Sequence, residues 1–109
     1  MKITTRANII KRMNESKTGT RFFFSSGFML FKARMDSGFN GSATCFKEYR
    51  KGADGWSRVI ATDDFKCFYW AEKSGNVSQY LADNIDGLGD LIKIEVLADD
   101  DYKPARLFT

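Results

Sequence analysis

The chain has 109 residues, enough for one domain that buries its own core without a metal or disulfide staple. With 43% hydrophobic and 28% charged residues and a net charge of +3, it belongs with globular rather than disordered chains, and no apolar run reaches the roughly 18 residues of a membrane span. It contains no histidine, which removes Ser-His-Asp and Cys-His catalysis, imidazole metal ligation and the usual neutral-pH proton shuttle.

Taken in chain order, "MKITTRANIIKRMNES" has a basic start but neither the apolar stretch nor the small-residue cleavage site of a signal peptide. A cytoplasmic location is therefore expected, with Cys45 and Cys67 as buried thiols of a reducing compartment. Thr4 or Thr5 is placed to cap a helix with Ala7, Ile10 and Met13 at a spacing of three and Ile9 beside them. Arg6, Lys11 and Arg12 make its polar side basic. "RFFFSSGF" (21–28) reads either as a buried strand or as an aromatic loop, broken at Ser25, Ser26 and Gly27.

Four strands follow. "FMLFKARM" (28–35) and "SATCFKEYRK" (42–51) are separated by a Gly-rich connection, and "GADG" turns the chain before "WSRVIAT" (56–62). "FKCFYWAEK" (65–73) comes after only Asp63 and Asp64, the length of the tightest hairpin. That hairpin would set Arg58 opposite Tyr69. "VSQYLADN" (77–84) carries Val77, Tyr80 and Leu81 at helical spacing, with Asn76 in capping position. "LIKIEVLA" (91–98) is a strand that is apolar on one face and mixed on the other.

The expected architecture is an α+β fold in one domain spanning 1–109. It has a mainly antiparallel sheet of about five strands, a four-strand meander plus a C-terminal strand, with an N-terminal helix and a second short helix. Phe68, Tyr69 and Trp70 in succession place large rings on both sides of that sheet, because alternate strand side chains point to opposite faces. Two short helices cover about one face. The other face must curl into a partial barrel, pair with a second copy, or hold a partner.

The chemical motifs are mostly exclusions. "SKTGT" (16–20) lacks the glycine and spacing of a phosphate-cradling loop, and "DGLGDL" (86–91) has only two glycines of a dinucleotide fingerprint. "NIDGLGDLIKIE" (84–95) imitates a calcium loop, but Leu88 falls where an oxygen ligand is required. No catalytic residue, cofactor or metal is expected.

What remains is recognition. Residues 1–58 hold 12 Lys or Arg against 4 Asp or Glu, an excess of 8 positive charges, whereas 59–109 hold 5 against 10, an excess of 5 negative ones. Such asymmetry points to charged partner surfaces unless the halves interleave in the fold. Thirteen of the 16 aromatic residues lie between Phe22 and Trp70, mostly within the basic half. The expected partner-contact residues are Arg34, Lys47, Tyr49, Arg50, Lys51, Arg58, Tyr69 and Trp70. An acidic patch is expected from Asp83, Asp86, Asp90, Asp99, Asp100 and Asp101.

The leading expectation is a small non-catalytic inhibitor or adaptor that docks on a protein through an aromatic sheet face and charged patches. In size and character it is analogous to the small proteins that bacteriophages turn on host nucleic-acid-handling machinery. The alternative is a module that binds single-stranded nucleic acid directly, with rings stacking bases and Lys and Arg tracking phosphates. A homodimer is a further expected partnership, and a membrane is not.

Overall fold

A computed structural model of the chain describes residues 2–36, 42–58, 68–72 and 75–96, with the backbone alone for Met35, Asp36, Ser42, Arg58 and Phe68–Trp70. Helix α1 (Arg6–Glu15) buries Ile9 and Met13, one turn apart, with Ile10 half-buried beside them, and leaves Ala7 exposed. Its seam is thus a spacing of four and not the expected three. Thr5 is the N-cap residue, although its side chain makes no capping hydrogen bond.

"RFFF" resolves as a strand. Strand β1 (Thr20–Phe24) buries Thr20, Phe22 and Phe24 and leaves Arg21 and Phe23 half-buried, the alternation of a pleated strand between two unequal faces. Residues 25–27 turn the chain into β2 (Phe28–Asp36), which pairs antiparallel with β3 (Ser42–Gly52) over nine residue pairs from Phe28 opposite Arg50 to Asp36 opposite Ser42. Ala53 and Asp54 then lead into β4 (Gly55–Arg58), with Gly55 at φ 110° in the left-handed region that glycine enters freely.

Strand β5 (Phe68–Trp70) departs from expectation. Both β4 and β5 run antiparallel to β3 along the same edge, β4 opposite residues 49–52 and β5 opposite 45–47. They are successive pieces of one edge position and not two arms of a hairpin. Arg58 consequently stands opposite Tyr49, and Tyr69 opposite Phe46. The eleven residues of β3 offer room for both pieces. The Asp63–Asp64 turn of the expected hairpin lies outside the described residues.

Helix α2 (Gln79–Asn84) is capped by Ser78, whose side chain accepts from the Leu81 N–H, and not by Asn76. It continues into a 3-10 turn (Ile85–Leu88), and the two bury Leu81, Ala82, Ile85 and Leu88. Strand β6 (Leu91–Val96) returns beside β1, and Ile3 bridges its far side at Leu91. The sheet order is β4-β3-β2-β1-β6, with β5 also on β3. This is the expected α+β architecture: an antiparallel meander, a C-terminal strand and two helices.

The main core lies between the helices and one sheet face. Ile9, Met13, Leu81, Ile85 and Leu88 meet Phe22, Phe24, Leu30, Phe46 and Leu91. Burying each large side chain contributes roughly 1.5–3 kcal/mol. Lys32 is only 5% exposed and donates to the Met13, Ser16 and Asn14 carbonyl oxygens at 2.8, 2.5 and 3.5 Å. It closes the orphan carbonyls at the end of α1, where a cation is also favoured by the helix dipole. Desolvation lowers its pKa below the ordinary lysine value. Asn14 ties the same corner to the α2 approach by accepting from the Val77 N–H at 2.7 Å.

Candidate binding surface

The opposite sheet face has its own buried cluster of Met29, Phe31, Ala33, Cys45 and Tyr49, with Phe23 and Trp56 packed against it and no described helix contributing. Curling helps to cover it. In a flat sheet β1 and β4 stand three steps apart, about 14 Å at the usual strand spacing. The Phe23 ring on β1 and the Trp56 ring on β4 are nonetheless edge-to-face with centroids 5.5 Å apart. The sheet therefore bends its β4 side towards β1, and the aromatic pair closes the bend.

This pair forms the floor of a surface hollow of about 370 Å³, lined by Phe23, Phe24, Ser25, Gly27, Lys51, Trp56, Ile92 and Lys93. A β-bulge aims the β6 side chains into it. Phe22 stands opposite Ile94 and Phe24 opposite Leu91, so three steps on β6 match two on β1. The extra residue lets Ile92 and Lys93 both reach the hollow, where strict alternation would send one to each face. Ile92 is 43% exposed. Lys93 lies over the Phe23 ring, its Nζ 5.3 Å from the centroid. It also pairs with Glu95 at 3.4 Å, a carboxylate that Arg21 holds at 2.9 Å.

The expected contact residues do not gather on one surface. Arg34 and Arg50 are exposed on the face that carries Lys32 and Phe46, whereas Lys47, Tyr49 and Lys51 belong to the face that carries Cys45. Tyr49 is 1% and Lys47 8% exposed. Both are expected as partner contacts, yet both are buried, Tyr49 within the cluster of Met29, Phe31, Ala33 and Cys45. Arg58, Tyr69 and Trp70 occupy the β3 edge through their backbones. Of the five whose side chains are described, Lys51 alone lines the hollow. Its other lining residues were missed. Trp56 and Phe23 were visible as aromatics in strand patterns, but no sequence signal brings them together or marks the bulge at Ile92.

The two charge halves interleave where both are described. Arg6 of the basic half pairs with Asp83 at 3.2 Å and Lys2 with Asp90 at 3.4 Å. Gln79 also donates to Asp83 at 2.8 Å. Asp86 is exposed in the 3-10 turn, and Asp99, Asp100 and Asp101 lie outside the described residues. Two of the three described patch carboxylates are thus already neighbours of cations. Among the described residues, no three His, Cys, Asp or Glu side chains come together as a metal site would require, and no helix is long and apolar enough to cross a membrane.

The hollow combines an apolar, aromatic floor with two ammonium groups, and among the described residues none that lines it is acidic. Chemically it suits apolar insertion beside negative charge. No protein-family model matches the chain, and neither a curated protein nor a solved structure matches it.

Proposed function

We propose that the chain is a non-catalytic binding protein, an inhibitor or adaptor that docks on a protein partner through the hollow between β1, β4 and β6. The observation that carries this reading is the exposed Ile92 beside the Phe23–Trp56 pair. Apolar side chains left open in a concave, lysine-rimmed site are what a partner's anchor residue desolvates. Support from the acidic side is weaker, since Asp83 and Asp90 are engaged by Arg6 and Lys2. A partner in nucleic-acid-handling machinery is therefore a proposal that leans on the hollow and not on the acidic patch.

Direct binding of single-stranded nucleic acid is the second reading, favoured by the lysines around Trp56. Stacking requires an accessible ring face. Tyr49 is enclosed, and Lys93 already lies over Phe23.

The test is selection of a random-peptide display library on the folded protein, alongside titration of labelled single-stranded oligonucleotides at two salt concentrations. Enriched peptides should lose at least about tenfold in affinity to Ile92→Ser, roughly the 1.4 kcal/mol of one well-packed anchor contact. Ile92 is exposed enough for that variant to fold, and Trp56→Ala should act in the same direction. Failure to enrich any peptide, or binding indifferent to both substitutions, overturns the reading. Oligonucleotide binding that falls steeply with salt would put the second reading in its place.

A further inference from the structure

We infer that the segment held in the hollow is an acidic peptide with one large apolar anchor, an inference that rests on the docking reading above. The volume of about 370 Å³ lies near the low end of ligand pockets, which run from about 300 to 1,000 Å³. That is room for one large side chain and its immediate flanks, and not for a run of stacked bases. The floor supplied by Phe23, Trp56 and Ile92 is apolar, so the inserted group is apolar.

The flanks are set by charge. Lys51 comes from β3, next to Trp56 in the ladder, and Lys93 from β6 across the sheet. Cations thus enter the rim from two separate strands. Among the described residues, the Lys51 ammonium has no carboxylate within 4.0 Å. Lys93 is 61% exposed and shares Glu95 with Arg21, which holds that carboxylate closer. Lys93 can therefore turn to an incoming carboxylate while Glu95 stays paired. A basic segment would instead meet two ammonium groups, with Glu95, already held by Arg21, the described carboxylate paired with either, so the rim selects against it as well as for its opposite.

The test uses three synthetic heptapeptides: a central phenylalanine flanked by aspartates, the same centre flanked by lysines, and an alanine centre flanked by aspartates. Binding is read by fluorescence anisotropy at low and high salt on the wild type, Ile92→Ser and the double variant Lys51→Glu with Lys93→Glu. Both lysines are exposed, so charge reversal should leave the fold intact, which thermal unfolding checks.

The aspartate-phenylalanine peptide should bind at least about tenfold tighter than either other peptide. The double variant should invert the preference towards the lysine peptide, and high salt should weaken both interactions. Equal binding of both phenylalanine peptides, with loss only of the alanine-centred one, overturns the acidic assignment while the docking reading survives. No binding by any of the three also overturns it, and the library selection then judges the docking reading separately. A dimer in solution that Ile92→Ser dissociates would assign the hollow to a second copy instead.

Discussion

Lys32→Met keeps an unbranched side chain of similar reach in the core and deletes the ammonium that closes α1. The buried Met13 carbonyl loses its 2.8 Å donor and the Ser16 carbonyl its 2.5 Å donor, while Asn14 at 3.5 Å was held only weakly. A buried acceptor left unsatisfied costs about 1–3 kcal/mol, and the half-buried Ser16 and Asn14 reach water to recover part of this. Relief of the desolvation that lowers the Lys32 pKa offsets a further part of the cost. The net expectation is a destabilisation of about 1–3 kcal/mol. At roughly 4 °C per kcal/mol for a chain of this size, the melting temperature should fall by about 4–12 °C.

Urea and thermal unfolding followed by circular dichroism measure the loss, and repeating them at alkaline pH isolates the titration. The folded pKa of Lys32 lies below the ordinary 10.5, so between that folded value and 10.5 the unfolded chain binds more protons than the folded one. Wild-type stability therefore rises through that window relative to Lys32→Met, and the difference is flat at lower pH. A variant as stable as the wild type, or a gap that narrows as pH climbs towards 10.5, would refute the account of Lys32 as a buried helix closure.

Gly89 has φ 85°, and a Cβ there would run into the Ser25 Oγ, which accepts from the Asp90 N–H. Gly89→Ala should cost about 2–4 kcal/mol in urea unfolding, the left-handed penalty plus displacement of that contact. Gly27→Ala, also left-handed but facing open space, should cost only about 1–2 kcal/mol. Arg6→Ala removes the partner of Asp83 from a pair in which both side chains are more than 40% exposed. Its effect on thermal stability should stay below about 0.5 kcal/mol and vanish at high salt, because exposed pairs are screened.

The elements were legible because their signals are local. Period-two alternation marks β2 and β3, the glycines bracket the turn into β4, and the apolar spacing around Leu81 marks α2. Even so, the α2 cap moved from Asn76 to Ser78, and the α1 seam ran through Ile9 instead of Ala7. Each shift chooses the residue whose neighbours face the core, which a pattern of single residues does not specify. The triplet Phe68–Trp70 shows the limit more sharply. Its strand character was readable, whereas its place on β3 beyond β4 depends on how much of a long strand each edge piece occupies.

The order of residues by itself determined an α+β chain with an antiparallel sheet greasy on both sides and no histidine chemistry, since composition and periodicity are properties of the unfolded chain. Tertiary structure decided which greasy groups stay open. Curvature brought Phe23 and Trp56 together from strands three steps apart, and packing buried Tyr49 and Lys47. A single extra residue in β6 turned Ile92 and Lys93 to the same side. The separation of charge along the chain dissolved in the same way at Arg6 with Asp83 and Lys2 with Asp90. Contacts between distant residues follow from sheet register and curvature, and both are settled only when all the strands pack at once.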